Sequence, residues 1–308
     1  MARVVPLANQ RGVDDLKKNS ITPYFMIFPV IALILLFKIY PIASSVIESM
    51  FRVGAGQVSY FIGLQNFVDL TKDTIFLGSF LTTIKFNLIL TPLQVVLSTL
   101  LAVLVNQPIR GIRVFRTIYY SPMGVSIAVS SILWGMMLSI NGGLINSCLS
   151  LLGLPQQPFL SSPIQALYSI VLTSTWKGVG YWMIFILAGL QGIPNDLYES
   201  ATIDGSNPIH TFFYITIPML RSTLTFVIVT DTVTNLLLFA PMYMLTDGGP
   251  QRSTNTLMLE AYKTLYRSTD PGRAYAIITV LIIMVSLVVI IQKLLLRERI
   301  SVKKRWVA

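Results

Sequence analysis

The sequence predicts an all-α integral membrane protein with six transmembrane helices, and three observations point there. Hydrophobic residues make up 54% of the 308 and charged residues only 12%, against about 25% charged in a soluble domain. Six apolar runs are each long enough for a helix to cross about 30 Å of hydrocarbon, which takes about 20 residues. Lysine and arginine are distributed unevenly among the segments between those runs. The mean hydropathy of +0.69 agrees.

Residues 1–21 are polar and too long for the leading region of a signal peptide. The apolar run after them has no small-residue cleavage site, so it reads as a retained first span over 22–46. The other spans are expected at 79–105, 118–139, 164–190, 220–246 and 274–296, making 22–296 the membrane domain between an N-terminal tail (1–21) and a basic C-terminal tail (297–308). Pro29, Pro41, Pro92, Pro122 and Pro241 fall in or near spans. Such kinks are tolerated where neighbouring groups satisfy the freed carbonyls.

Six spans place both termini on one side. If that side is the cytoplasm, the inner segments hold fourteen of the 23 basic residues: Arg3, Arg11, Lys17, Lys18, then Arg110, Arg113, Arg116, then Arg221, then Lys293, Arg297, Arg299, Lys303, Lys304 and Arg305. The outer loops hold six: Arg52, Lys72, Arg252, Lys263, Arg267 and Arg273. Lys38, Lys85 and Lys177 fall within spans. The excess predicts cytoplasmic termini. The net charge of +10 then reflects topology and a lipid surface rather than nucleic acid. Arg110, Arg113 and Arg116 read as an anchor beside anionic lipid, as does the tail RERISVKKRW with Trp306 at the interface. The outer loops, 47–78, 140–163 and 247–273, are too short for a large domain of their own.

The loop 191–219 is polar between two apolar runs. Asp196 and Glu199 have the spacing of a helix start just after Pro194. A short helix through Ala201 is expected to end at Gly205, which suits a left-handed turn. Asn207-Pro208 restarts a helix, with a capping side chain followed by proline at the first position, and Pro218 interrupts it where the fifth span begins. Leu197, Ala201 and Ile203 are expected on one face, with Glu199 and Asp204 at the tips. Such a segment reads either as an interfacial connector or as a docking knob for a protein. Interfacial connectors are rich in Lys and Arg; this one is acid-rich, which favours a protein partner.

Glu199-Ser200-Ala201, then Gly205, then Ile215-Thr216-Ile217-Pro218 resembles the EAA signature of the membrane subunits of ABC importers. Ser200 and Ile217 are its two departures. The resemblance implies that Glu199, Ser200, Ala201, Asp204, Gly205, Ile215 and Pro218 form a cytoplasmic coupling helix set in a cleft of a separate ATPase subunit. Phe61-Ile62-Gly63-Leu64-Gln65-Asn66-Phe67, Leu190-Gln191-Gly192-Ile193-Pro194 and Leu245-Thr246-Asp247-Gly248-Gly249-Pro250 resemble elements of the carbohydrate-type permeases related to the maltose and glycerol-phosphate importers. That family implies a second, unlike permease, two ATPase subunits that bind ATP and Mg, and an extracytoplasmic solute-binding protein. It also implies a sugar or polyol substrate and a bacterial inner-membrane location. The chain resembles the short members of the family, without the large outer domain of the maltose type. Gly142-Gly143 and Gly248-Gly249-Pro250 are outer turns, which by resemblance lie where the binding protein docks.

No G-x-x-x-x-G-K-[ST] phosphate loop occurs, so the chain is not itself expected to cradle ATP. With one histidine, His210, and one cysteine, Cys148, neither a catalytic triad nor a Cys/His metal site is expected. Lys177 and Asp231 fall near the middle of spans four and five and read as lining a polar cavity, either paired with each other or separately. Lys38 and Lys85 lie nearer span ends and snorkel. Trp176, Gly178, Tyr181, Asp231, Asn235 and Tyr243 are the candidate sugar contacts. Aromatic faces suit sugar C–H surfaces, and polar groups suit hydroxyls. Three of these, Gly178, Tyr181 and Asn235, match by resemblance positions that line the sugar site. A stand-alone secondary transporter or channel, an ABC permease for a non-carbohydrate solute, and a membrane scaffold remain open from the residues alone.

Overall fold

The computed structural model describes residues 22–53, 59–268 and 270–296. The whole N-terminal tail (1–21) and C-terminal tail (297–308), including Arg3, Arg11, Lys17, Lys18, Arg297, Arg299, Lys303, Lys304, Arg305 and Trp306, lie outside the described residues.

The first apolar run forms α1 (Thr22–Ile34), a π-helical turn (Leu35–Ile39) and α2 (Tyr40–Glu48). Pro41 lacks an N–H and its ring crowds the preceding turn; the wider turn just before it accommodates that, with the Tyr40 N–H reaching back to the Leu35 carbonyl. This helix is exposed along almost its whole length, with Tyr24 77% and Phe37 68% accessible. A helix apolar on all sides requires a lipid or protein environment. Its far end, α2, packs on the last helix.

A two-stranded hairpin follows, β1 (Phe51–Val53) against β2 (Ser59–Phe61), antiparallel with Arg52 opposite Tyr60. Next come α3 (Gln65–Lys72) and α4 (Thr74–Val105). The Asp73 carboxylate accepts from the Ile75 N–H and starts α4 five residues before the span predicted at 79.

The predicted third span, 118–139, is not one helix. It comprises the end of α5 (Ile112–Tyr120), a 3-10 turn (Ser121–Gly124) and α6 (Ile127–Met137). Pro122 and Gly124 break the helical ladder, and the Ser126 side chain caps the restart by accepting from Val129 N–H. After α7 (Leu144–Leu151), α8 (Ala166–Gln191) supplies the fourth span and packs along α4.

The loop between α8 and the fifth span contains α9 (Asn195–Ile203), α10 (Pro208–Thr211), a second π turn (Phe212–Thr216) and α11 (Ile217–Met219). That π turn again stands just before a proline, Pro218. Then α12 (Arg221–Leu236) sets off at 70° to the preceding helix. The predicted fifth span is broken at 237–239 before α13 (Ala240–Thr246). Finally come α14 (Leu257–Tyr266) and α15 (Pro271–Leu296).

Among the described residues, four helices are long and apolar enough to cross a membrane: Tyr24–Glu48, Thr74–Val105, Ala166–Gln191 and Pro271–Leu296. The bent pair Pro208–Met219 and Arg221–Leu236 makes a fifth if it counts as one span, and Ile127–Met137 is a shorter apolar helix.

The core forms along α4. At one end α4 and α8 enclose Ala102, Trp182, Met183 and Ile186 with Leu220 and Val227. In the middle Phe86 and Leu90 meet Ile170 and Met242. At the other end Leu70 and Phe76 meet Leu257, Ile277 and Leu281.

Candidate functional site

Polar side chains run down α4 at Asn87, Thr91, Gln94 and Ser98, spaced four, three and four residues apart on one buried stripe. They tie α4 to its neighbours. Asn87 Nδ2 donates to the Thr232 carbonyl (3.0 Å), Gln94 Nε2 to the Ser174 carbonyl (2.9 Å) and Ser98 Oγ to the Val179 carbonyl (3.0 Å). Interhelical hydrogen bonds of this kind hold helices together where lipid is as apolar as the side chains.

Beside the stripe is a cavity of about 290 Å³ between α4, α6, α8 and α12. Of the six predicted contacts it brings together Gly178, Tyr181, Asp231 and Asn235, with Lys177 beside them. Trp176 stands outside the lining, edge-on to Trp134 at 5.7 Å. Tyr243 is also outside the lining. The break at 237–239 re-aims its helix, and it packs with Phe239 and Tyr262 under the Arg267 guanidinium. Trp182, an aromatic that the fourth span also offers for sugar recognition, lines the cavity too, together with Gln94 and Ser174, which are not among the candidates read from the sequence. The 4-3-4 polar spacing inside an apolar run was the signal for Gln94.

The alternative in which Lys177 and Asp231 pair is not what the structure adopts. Lys177 Nζ donates to the carbonyls of Pro122 (3.2 Å) and Val125 in the break before α6, where the Pro122 carbonyl also takes the Val125 N–H (3.3 Å). Asp231 is 1% exposed, and its Oδ1 accepts from Trp182 Nε1 at 2.7 Å. Lys177 therefore clamps the broken span. Lys177→Met should leave those carbonyls without this donor, at about 1–3 kcal/mol. A drop of several degrees in the melting temperature of the purified protein in lipid nanodiscs would register it; an unchanged melt would remove the clamp role.

Asn235 is also engaged. Its Nδ2 donates to Thr91 Oγ1 (3.0 Å) and Gln94 Oε1 (2.9 Å). Asn235→Ala should therefore lower transport and cost about 1–3 kcal/mol of stability together. Lost transport in a protein of unchanged melting temperature would show that Asn235 acts on the solute alone. Gly178 fits the same arrangement, since a Cβ there would lie 2.1 Å from Gln94 Nε2.

The second site is the α9–α10 loop. Helix α9 starts at Asn195 after Pro194, so Asp196 lies inside its first turn and makes no cap bond as the residue before the helix. Gly205 has φ +74°, and the chain closes with Ser206 N–H on the Ala201 carbonyl (2.9 Å) and Gly205 N–H on that of Thr202 (3.1 Å), a left-handed helix end of the Schellman type. Asn207 then caps α10, its Oδ1 accepting from His210 N–H at 2.7 Å. Ala201 is buried, while Ile203 is 86% exposed and projects away from it. The expected shared face of Ala201 and Ile203 does not form, because two positions apart on a helix differ by about 200°. Ser200, Ala201, Asp204, Gly205 and Ile215 line one open groove of about 570 Å³ with His210. Glu199 and Pro218 are exposed outside that lining. The ring of His210, which has no part in the expected coupling set, stacks on Tyr214 at 4.2 Å.

Several other residues singled out in the sequence hold the described part of the chain together. Asn66 donates from its buried Nδ2 to the Ser49 (2.8 Å) and Phe51 (2.9 Å) carbonyls, closing the turn after α2. Arg273 pairs with Asp73, and Arg52 with Asp69. Asp247 bonds Arg267 (2.8 Å) and lies 3.5 Å from Lys263. The Arg267 hydrogen bond, then the nearby charges, hold its carboxyl below the usual carboxylate range. Arg116 also has a role within the chain: its Nε and Nη2 donate to the Val105 carbonyl (3.1 and 2.7 Å) and cap α4. Lys85 lies well within α4 rather than at its end, with Nζ 5.5 Å from the centre of the Tyr168 ring.

The molecule thus combines a stripe of interhelical hydrogen bonds, a buried polar cavity and a capped loop of short helices. The profile of the family described as binding-protein-dependent transport system inner membrane component matches residues 94–301. The chain belongs to that family. This inner membrane component is thus a transport subunit, with ATP hydrolysis performed by separate ATPase subunits. It is 35% identical over 287 residues to the lactose transport system permease protein LacF of Rhizobium radiobacter, covering 91% of this chain and 95% of that one. It is 32% identical to the sn-glycerol-3-phosphate transport system permease protein UgpA of Yersinia pestis (88% and 92% covered). A third relative is the trehalose/maltose transport system permease protein MalF of Thermococcus litoralis, 33% identical (82% and 86% covered). Among solved structures, a chain of a bacterial ABC transporter that imports the acidic polysaccharide alginate superimposes with a TM-score of 0.80 at 23% identity, covering 95% of the component and all of that chain. A bacterial alginate transporter in complex with a periplasmic protein carrying an alginate pentasaccharide gives 0.76 at 24% identity, with 92% and 94% covered. At these identities the structures show the shared fold.

Proposed function

We propose that the chain is one of two unlike membrane subunits of an ATP-driven importer that moves a sugar or related polyol. The solute (a disaccharide, oligosaccharide, polyol or glycerol phosphate) is delivered by an extracytoplasmic binding protein. Two ATPase subunits bind ATP and Mg on the cytoplasmic side. The chain crosses the bacterial inner membrane six times, counting the broken third and fifth spans, with both termini in the cytoplasm. Its loop 191–219 is the coupling segment, in which Glu199, Ser200, Ala201, Asp204, Gly205, Ile215 and Pro218 meet the ATPase. Movement there swings the spans between outward- and inward-open states.

The observation that carries this reading is the α9–α10 loop. It is an open groove with exposed acids, turned at Gly205, and α9 is held to the π turn that leads into the fifth span through Tyr198 Oη and Thr216 Oγ1 at 3.2 Å. The carbohydrate part is supported by the polar cavity against Trp134, Tyr181 and Trp182 and by the sugar-transport relatives. Tagging the chain and purifying it gently from its native membrane tests the assembly. Recovery with an ATPase, a second permease and a binding protein is the expected result. Recovery alone, with transport that needs an ion gradient and no ATP, would replace the importer reading with a secondary transporter.

A further inference from the structure

The names of the relatives divide on the charge of the solute: lactose and trehalose or maltose are neutral, whereas sn-glycerol 3-phosphate is anionic. The cavity distinguishes between these classes. Among the described residues lining it, Lys177 is the one cation and Asp231 the one anion. The Lys177 ammonium is directed at the Pro122 and Val125 carbonyls. The Asp231 carboxylate is half used, since Oδ1 takes the Trp182 N–H while Oδ2 is buried with no hydrogen-bond partner. The Ser174 hydroxyl, on the same cavity wall, is buried and unpartnered as well. A buried carboxylate oxygen left open calls for a donor, which a sugar hydroxyl supplies and a phosphate or carboxylate group, with acceptor oxygens only, does not.

We propose that the solute of this permease is a neutral sugar, which gives a hydroxyl hydrogen to Asp231 Oδ2 and a second polar contact to Ser174 Oγ, and that phosphorylated and uronic sugars are excluded at this point. The proposal rests on the sugar-importer reading above. Asp231 touches the solute directly, while Trp182 is a positioning residue that fixes the carboxylate by its N–H. The aromatic faces of Tyr181 and Trp134 on the same cavity fit the C–H surfaces of a neutral pyranose.

The test uses the whole transporter, purified with its own partner subunits and binding protein and reconstituted in proteoliposomes with ATP inside. Lactose, maltotriose, sn-glycerol 3-phosphate and a uronate trisaccharide are offered, and accumulation is read by mass spectrometry. Accumulation of a neutral sugar at least tenfold above either anion is expected. Asp231→Asn should lower it tenfold or more, and Ser174→Ala about threefold. Asp231→Asn keeps the shape and an acceptor for Trp182, and its assembly is checked by co-purification. If it does not assemble, the Ser174→Ala rate and the solute ranking decide. Accumulation of glycerol phosphate or the uronate in preference to the neutral sugars overturns the inference while leaving a sugar importer. Accumulation of none of the four, with ATP hydrolysis still stimulated by the binding protein, overturns the sugar reading itself. A neutral sugar carried equally well by the Asp231→Asn and Ser174→Ala proteins removes both residues from the site.

Discussion

Replacing Glu199 by lysine is expected to abolish uptake, by a hundredfold or more, while the permease still inserts and still recovers a binding protein. Glu199 stands exposed beside the α9–α10 groove, and among the described residues no cation pairs with it. Among the described residues its substitution therefore removes no ion pair, and surface changes of that kind normally stay within about 0.5 kcal/mol of stability. What it alters is the charge presented to a partner. Reversal at a docking surface costs more than neutralisation, since it adds repulsion to the loss of attraction. Glu199→Gln should accordingly keep part of the uptake. The measurement is uptake alongside ATP hydrolysis in the reconstituted complex. Hydrolysis that no longer responds to solute-loaded binding protein is the expected signature, and normal coupling in Glu199→Lys would remove the residue from the interface.

Gly180→Val is expected to be as damaging for a different reason. A Cβ at Gly180 would lie 1.8 Å from the Tyr119 carbonyl oxygen and 2.7 Å from its carbon. Both are backbone atoms, so no side-chain rotation relieves the clash. The last turn of α5 comes this close to α8 only because position 180 has no side chain. Pushing the two apart would also pull Pro122 and Val125 away from Lys177, one turn earlier on α8. Little or no folded protein should be recovered from membranes, as read by size-exclusion chromatography of a fluorescent fusion. Gly78→Val, on the exposed face of α4 with nothing within 4 Å of its Cβ, is the control and should be recovered near wild-type amounts. Equal recovery of the two variants would mean that the close contact at Gly180 is not needed.

The parts of this molecule that were legible in the sequence are those whose determinants are local. Gly205, Asn207 and Pro208 each specify their own backbone within a few residues, so the helix–glycine–helix loop was readable before any coordinates. The uninterrupted spans followed from length and apolarity. The third span was misread as continuous because Pro122 alone allows either a kink or a break. What permits the break is an ammonium 55 residues away in the sequence, and no local pattern announces it. Lys177 and Asp231 were candidates for pairing because both are charges at membrane depth. Yet Lys177 and Trp182, which bonds Asp231, are five residues apart on α8, about 140° around the helix. Lys177 thus faces the broken span while Trp182 faces α12. Tyr243 was a candidate as an aromatic of the fifth span, but three residues of irregular backbone at 237–239 separate its helix from the one that carries Asp231 and Asn235.

The bare first helix has a mechanical consequence. It is fastened at its base, where α2 lies on α15 and Asn66 closes the turn beneath it, and above that it is uncovered by the other described residues. That is the arrangement of a cantilever. When the surrounding bilayer thins or thickens, a helix held at one end can tilt at a cost of fractions of a kcal/mol per Å of mismatch. The hydrogen-bonded stripe of α4 cannot do so without breaking its bonds to α8 and α12. The molecule therefore carries a compliant member beside a stiff one, and changes in membrane thickness are taken up at its edge before they reach the cavity.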